Sequence, residues 1–398
     1  MASYNLTSVS NLFKIKYGKL SDNVYNSANV LLGRAKKQYD FTGKQMFVPV
    51  PMSFSGGVGS GSLPTANAAS IDDALITAKK MYSVVQIDRE SIKAASNDEG
   101  SFVRMTKFAV EKGVESYMRN ASRALFNTLD SGALGYFSGN AAGTAADPVI
   151  TVTAASWLES RWEEKDYVNV NTLSSVFEVI SVDPSTRAVT LSRISGSDDL
   201  TGIGAGTHKV YMQNSKDNDP TSLGTVLSAT SGSLYGIPVA RRWQAAQVDA
   251  GSAGITSDVM NETMLEVQRK CGKVPNLIVT SFTQYRKLLN ILEDQKQYNL
   301  DPRSADLKGK ISFKGVEFMS SAGPVGVFAD RFMPESEMWF LNDNYIALHH
   351  RPDFGWMDDD GSVFLRDASA DSYSARFGGY YDLYCPPTFH GRLHTLAV

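Results

Sequence analysis

Between residues 101 and 129, apolar positions recur at three- and four-residue steps: Phe102, Met105, Ala109, Gly113, Tyr117, Ala121, Ala124 and Leu125. Arg104, Lys112, Glu115, Arg119 and Arg123 take the other face. That period predicts an amphipathic helix of about seven turns, begun near Ser101 and stopped by Asp130-Ser131-Gly132. Ahead of it the composition changes. Residues 44–54 and 78–89 are rich in β-branched and aromatic side chains, and the glycine-rich stretch 55–64 lies between them. They read as the arms of a β-ribbon joined by an apex too flexible to hold a shape alone. Pro49 and Pro51 confine the first arm to a sheet edge, because proline cannot donate to a ladder. A lone two-stranded ribbon is marginal in water and needs a covering surface, for which a second copy of the chain is the expected source. On this reading Val48, Met52, Phe54, Gly57, Gly59, Met81 and Val84 make intersubunit contacts.

Residues 148–215 change character. Alternating runs at 149–152, 167–170, 176–182, 188–191 and 208–212 are separated by turn formers such as Asp183-Pro184-Ser185. Strands at this spacing predict a small antiparallel barrel or sandwich inserted between helical regions. From 256 the period switches again. Met260, Met264, Val267 and Cys271 line a helix that Gly272 closes, 277–280 reads as a strand, and Phe282, Tyr285, Leu288, Leu289 and Leu292 mark a second helix. Strands near 310–319, 325–329, 337–341 and 345–349 complete an α+β unit. Residues 1–40 are polar with scattered apolar positions and read as an arm with one or two short helices.

At 398 residues, 42% hydrophobic and 20% charged, the chain is long enough for two or three cores and has a globular composition. The net charge of −3 gives no overall reason to bind nucleic acid. The first fifty residues differ: Lys14, Lys16, Lys19, Arg34, Lys36, Lys37 and Lys44 outnumber Asp22 and Asp40 by five. Such a basic arm can meet phosphate or an acidic partner, or it can be a solvated face. Two cysteines, Cys271 and Cys385, oppose a disulfide framework and suit a reducing compartment. No run approaches the ~20 apolar residues of a membrane span, and no signal peptide is visible, so a soluble protein made inside a cell is expected.

Chemistry is sparse. The glycines at 56–61 lack the Gly-Lys-Ser/Thr ending of a phosphate loop, and Gly232-Ser233-Leu234-Tyr235-Gly236 places its serine one position early for a nucleophile elbow. His390 and His394 have helical ligand spacing near Cys385, but Pro386, Pro387 and Gly391 oppose a helix there. His349 and His350 point to opposite faces of an extended chain, and Asp358-Asp359-Asp360-Gly361-Ser362 lacks the alternation of a calcium loop. No catalytic, cofactor or metal residues are expected, and the chain does not read as an enzyme.

In order, these elements resemble the major capsid protein family of tailed bacteriophages, whose fold is shared with the herpesvirus shell floor and with encapsulin nanocompartments. The arm at 1–40, the ribbon at 41–90 and the helix at 101–129 are similar to that family's N-terminal arm, extended loop and spine helix. Leu134-Gly135-Tyr136-Phe137-Ser138-Gly139, Leu234-Tyr235-Gly236-Ile237-Pro238 with Arg241-Arg242-Trp243, and Gly254-Ile255-Thr256 resemble its continuation. So do Gly323-Pro324-Val325-Gly326, Met333-Pro334, and the closing Tyr381-Asp382-Leu383-Tyr384-Cys385-Pro386-Pro387. The resemblance implies an α+β capsid fold: a peripheral domain at 91–147 with the spine helix, an inserted β-rich domain at 148–215, a connection at 216–249, an axial domain at 250–375, and a return strand at 376–398. Minimal members lack the inserted block. Implied too is a structural protein whose hexamers and pentamers form an icosahedral head around double-stranded DNA held by weak, non-specific contact. It needs no cofactor and no membrane, assembles in the host cytoplasm and resides in the virion. Its partners would be itself, a separate scaffolding protein (the chain opens directly on the arm), a portal and a decoration protein. An encapsulin-type compartment is the alternative within the fold; a hydrolase or β-rich binding protein is the alternative outside it.

Overall fold

The structure, a computed structural model, describes residues 30–41, 43–53, 70–89, 99–171, 173–201, 208–240, 242–294, 316–321, 323–351, 355–357, 363–367 and 370–398, with Val58, Gly61 and Ile203. The expectations for Phe54, Gly57, Gly59, Lys14, Lys16, Lys19 and the acidic turn at 358–362 lie outside these residues. Among the described residues the α-helices are α1 (Val30–Arg34), α2 (Glu99–Phe126), α3 (Leu223–Ser228), α4 (Ser257–Cys271) and α5 (Phe282–Asp294). Together with the sheets they form an α+β fold, and none of these helices is long and apolar enough to cross a membrane.

The peripheral sheet is organised around one long strand, Ser372–Tyr384. Lys79–Asp88 pairs along one edge of it, and Ala347–His350, Gly355–Trp356 and Leu365–Arg366 dock in turn on the other. Lys36–Gln38 extends the sheet in parallel from Ala347–His350. On one face of the sheet, α2 buries Tyr117, Ala121 and Leu125 of the predicted stripe together with Val110, Val114 and Met118, which the prediction did not include. It approaches closely: a Cβ on Gly113 would sit 2.4 Å from Cγ2 of Val85. Tyr117 meets Phe377 edge-on at 5.2 Å.

Gly378 is the other glycine the sheet requires. Its φ of 149° is open to few other residues, and a Cβ there would lie 2.1 Å from the carbonyl oxygen of Met81. Gly378→Ala is expected to cost about 2–4 kcal/mol in urea melts, because backbone must move to admit one methyl. Gly254→Ala, with open space around it, serves as the neutral control; equal stability of the two variants would refute the argument.

The axial sheet runs Ala246–Asp249, Gly391–His394, Met338–Leu341, Leu277–Thr280, Gly323–Ala329, Val316–Ser320. Leu277–Thr280 and Met338–Leu341 are buried on both faces, as central strands covered by helices must be. Helix α4 is capped as its sequence predicts, with the Thr256 hydroxyl accepting from the Val259 N–H at 3.3 Å and Gly272 in the left-handed region. Two boundaries need correction. Ala347–His350 belongs to the peripheral sheet and not the axial one, because its backbone pairs with 381–384. The closing segment also divides: 372–384 is the peripheral return strand, whereas Gly391–His394 crosses into the axial sheet.

The inserted unit is a small barrel, with strand order Gly135–Tyr136, Lys209–Met212, Tyr167–Val170, Val176–Asp183, Ala188–Ser195, Pro148–Thr151, Ala142–Gly143. Residues following Gly135–Tyr136 close it. Phe137 bridges to Val152, and the Ser138 N–H donates to the Thr151 carbonyl at 2.9 Å. The unit therefore begins near Leu134 and not at 148, since the Leu134–Gly139 stretch supplies the closing staves. Its interior, built on Phe137, Ile150, Val168, Phe177, Val189 and Val210, is separate from the cores of the other two units.

Candidate assembly surface

The ribbon's first arm, Gln45–Ser53, pairs with Ser70–Thr77 and not with 78–89. The strand expected as second arm, Lys79–Asp88, is claimed by the peripheral sheet, which offers it ten residues of ladder from 372 to 381. Met81 thereby becomes a body residue, half-buried, with the Tyr381 hydroxyl donating to its Sδ at 3.1 Å. Val84 faces out at 61% exposure.

Alternation gives the ribbon two unlike faces. Val48, Val50 and Met52 pack against the subunit's own core, and Ala74 and Ile76 opposite them are fully buried. Val48 and Met52, expected between subunits, thus face inward within their own chain, because the pleat turns every second residue to the body. The face turned outward carries Phe47, Pro49, Pro51 and Ile71, with Phe47 at 62% and Ile71 at 60% exposure. The ribbon is tied to the body by the Leu75 N–H donating to the Tyr235 carbonyl at 2.8 Å and by Arg242 donating to the Met52 carbonyl at 2.6 Å.

The described part of the basic arm is partly engaged at home. Arg34 lies 3.7 Å from Asp343 and over the Phe328 ring, and Lys36 donates to the Asn344 carbonyl at 2.8 Å. Lys37 is half-buried on Lys36–Gln38.

His349, His350, His390 and Cys385 are interior side chains. His390 is fully buried and its Nδ1 accepts from the Asn342 N–H at 3.2 Å; burial holds the imidazole neutral, down at about 3. His350 stacks between Tyr39 and Tyr381 and is lowered by burial to about 4, while His349, on the opposite face, meets Asp40 at 2.8 Å. Burial raises the Cys385 thiol far above its ordinary value, which leaves it a poor nucleophile. No group of three or more potential metal ligands occurs among the described residues.

Asp382 is the buried acid with a consequence. It accepts from the backbone N–H groups of Thr221 (2.7 Å) and Leu383 (2.9 Å) and from the Thr221 hydroxyl at 3.3 Å, yet burial outweighs these bonds and pushes the carboxyl up to about 6. The folded state keeps this proton to pH about 6 and the unfolded chain only to about 4, so its stabilisation is complete below pH 4 and lost as pH rises through 6. Asp382→Asn retains an acceptor and removes the ionisation. It should be more stable than the parent by on the order of 2–3 kcal/mol at pH 7 and close to it at pH 4. His350 and His390 titrate in the opposite sense but are common to both proteins. A stability difference independent of pH would contradict this assignment.

Comparison with known proteins places these features. Residues 203–354 match the family model described as SU10 major capsid protein. No curated protein matches the chain. Among solved structures, the capsid asymmetric unit of cyanophage A-1(L) aligns with a TM-score of 0.54 at 13% identity, covering 95% of this chain and 93% of that one. A chain of Mycobacterium phage Bobi aligns over 99% of both at 12% identity, with a TM-score of 0.44. The cyanophage alignment shows a shared fold.

Proposed function

We infer that this chain, a major capsid protein of the tailed-phage type, builds rings of six and five copies that close into an icosahedral head around double-stranded DNA. The observation that carries the assembly reading is the ribbon's outward face, where Phe47 and Ile71 stand in water on a two-stranded sheet. A neighbour covering that face removes apolar surface from water and shields the edge strand Gln45–Ser53. A contact between this patch on one copy and a different patch on the next is heterologous, and it closes into rings when the rotation permits. Val84 on the peripheral sheet belongs to the same exterior. Lys14, Lys16 and Lys19 supply positive charge for weak, non-specific contact with phosphate. A separate scaffolding protein, a portal and a decoration protein complete the partners, with assembly in the host cytoplasm.

The test reverses the face without touching the fold. Phe47→Glu combined with Ile71→Glu should leave the subunit's melt within about 0.5 kcal/mol of the parent, as exposed substitutions do. Fast-sedimenting particles should disappear. Persisting particles would exclude this face as the contact, and an unfolded subunit would assign it to the monomer's own core.

A further inference from the structure

The junction of α2, the barrel and the axial sheet is charged where an apolar contact would be ordinary. From α2, Arg119 bridges two carboxylates of the barrel, Glu163 and Asp166, the second at 2.8 Å. One turn further, Arg123 is buried, and the charges of Asp219 and Asp166 partly offset its burial. From the barrel side Arg161 is buried too, donating to the Ser156 carbonyl at 3.4 Å, and Glu337 of the axial unit supplies the negative charge that partly offsets its burial. Glu337 in turn receives both prongs of Arg392, Nε at 2.8 Å. Beside them the Ser160 hydroxyl donates to the Arg331 carbonyl at 2.6 Å. The ion pair that crosses from α2 to the barrel is that of Arg119, while Arg123 and Arg161 lie buried beside it.

Desolvating this many charges is a poor way to gain stability, since apolar side chains of the same volume would hold as well or better. What ion pairs add is geometry. An Arg fork that must meet two carboxylates at once is satisfied in one relative placement, whereas a greasy patch tolerates sliding. The barrel needs such a device. It has its own core and is joined to the rest by only two chain crossings, before Leu134 and after Met212. We propose that this seam fixes the barrel in a single orientation against α2 and the axial sheet, so that the three units move as one rigid body.

The experiment measures orientation directly. Spin labels on Ile180→Cys of the barrel and Leu265→Cys of α4, both exposed, are placed in a Cys271→Ala background of the unassembled full chain. The parent should give one narrow label-to-label distance. Neutralising the Arg119–Glu163 pair, by Arg119→Met with Glu163→Gln while Asp166 stays to offset Arg123, should replace it with a broad distribution. The stacked Trp157 and Trp162 should keep the barrel's near-ultraviolet signal in that variant. Arg119→Lys, which keeps the charge but not the fork, should broaden the distance partially. A narrow distance in the neutralised variant would overturn the proposal, as would a broad one in the parent. Loss of the tryptophan signal would also overturn it, by assigning the charges to folding of the barrel.

Discussion

A chain lacking residues 54–69, with Ser53 and Ser70 joined through an Asn-Gly turn, is expected to fold as a subunit and fail to build shells. The two ribbon strands already pair with each other up to Ser53 and Ser70, so a tight turn that matches strand twist closes the hairpin without strain. The inward residues Val48, Val50, Met52, Ala74 and Ile76 stay packed on the core, and the ties from Tyr235 and Arg242 remain. Body stability should therefore change by no more than about 1 kcal/mol. What is lost is the stretch of chain at 54–69 that a neighbour could engage, while the outward face with Phe47 and Ile71 is kept. Sedimentation and melting of the deletion variant beside the parent decide the matter: shells of normal yield would leave the outward face as the ribbon's whole contribution, and global unfolding would assign 54–69 to the subunit's own fold.

Trp339→Ala is the substitution expected to damage the subunit most. Trp339 lies fully buried on a central axial strand, stacks on Phe126 of α2 at 5.5 Å and 17°, and donates its Nε1–H to Glu337 at 2.9 Å. It therefore pins the spine helix to the axial sheet. Truncation opens a cavity worth about 3–5 kcal/mol and deprives a buried carboxylate of a donor worth about 1 kcal/mol more. Against a typical stability of about 5–15 kcal/mol, that leaves a marginal subunit. Trp339→Phe keeps the stack and loses the N–H, and should recover most of the difference. A loss below about 1.5 kcal/mol for the alanine variant in urea unfolding would show that the helix–sheet joint is held elsewhere.

Elements whose signal is local were legible in the sequence. The barrel strand predicted at 176–182 is found at Val176–Asp183, and the stop of α4 at Gly272 is the one its left-handed φ provides. Pairings between distant segments were not. The strand Ser70–Thr77 hides its alternation behind adjacent Asp72 and Asp73, and the claim of 372–384 on 79–88 is made across nearly the whole chain. Polarity alone did not place the far end of α2: Arg119 and Arg123 read as part of the polar face, and the barrel covers them while Lys112 and Glu115 stay exposed. The proposed assembly surface was half visible. The ribbon and its need for cover followed from composition, whereas which residues turn outward depended on register, and one residue of slip exchanges the faces.

Electron microscopy of particles recovered from cells expressing the chain tests the central claim most directly. The account predicts curved shells built of six- and five-fold rings in which density for each ribbon lies across an adjoining subunit. Dispersed monomers or small closed oligomers at concentrations where the protein is abundant, or shells in which no neighbour covers the ribbon's outward face, would contradict it.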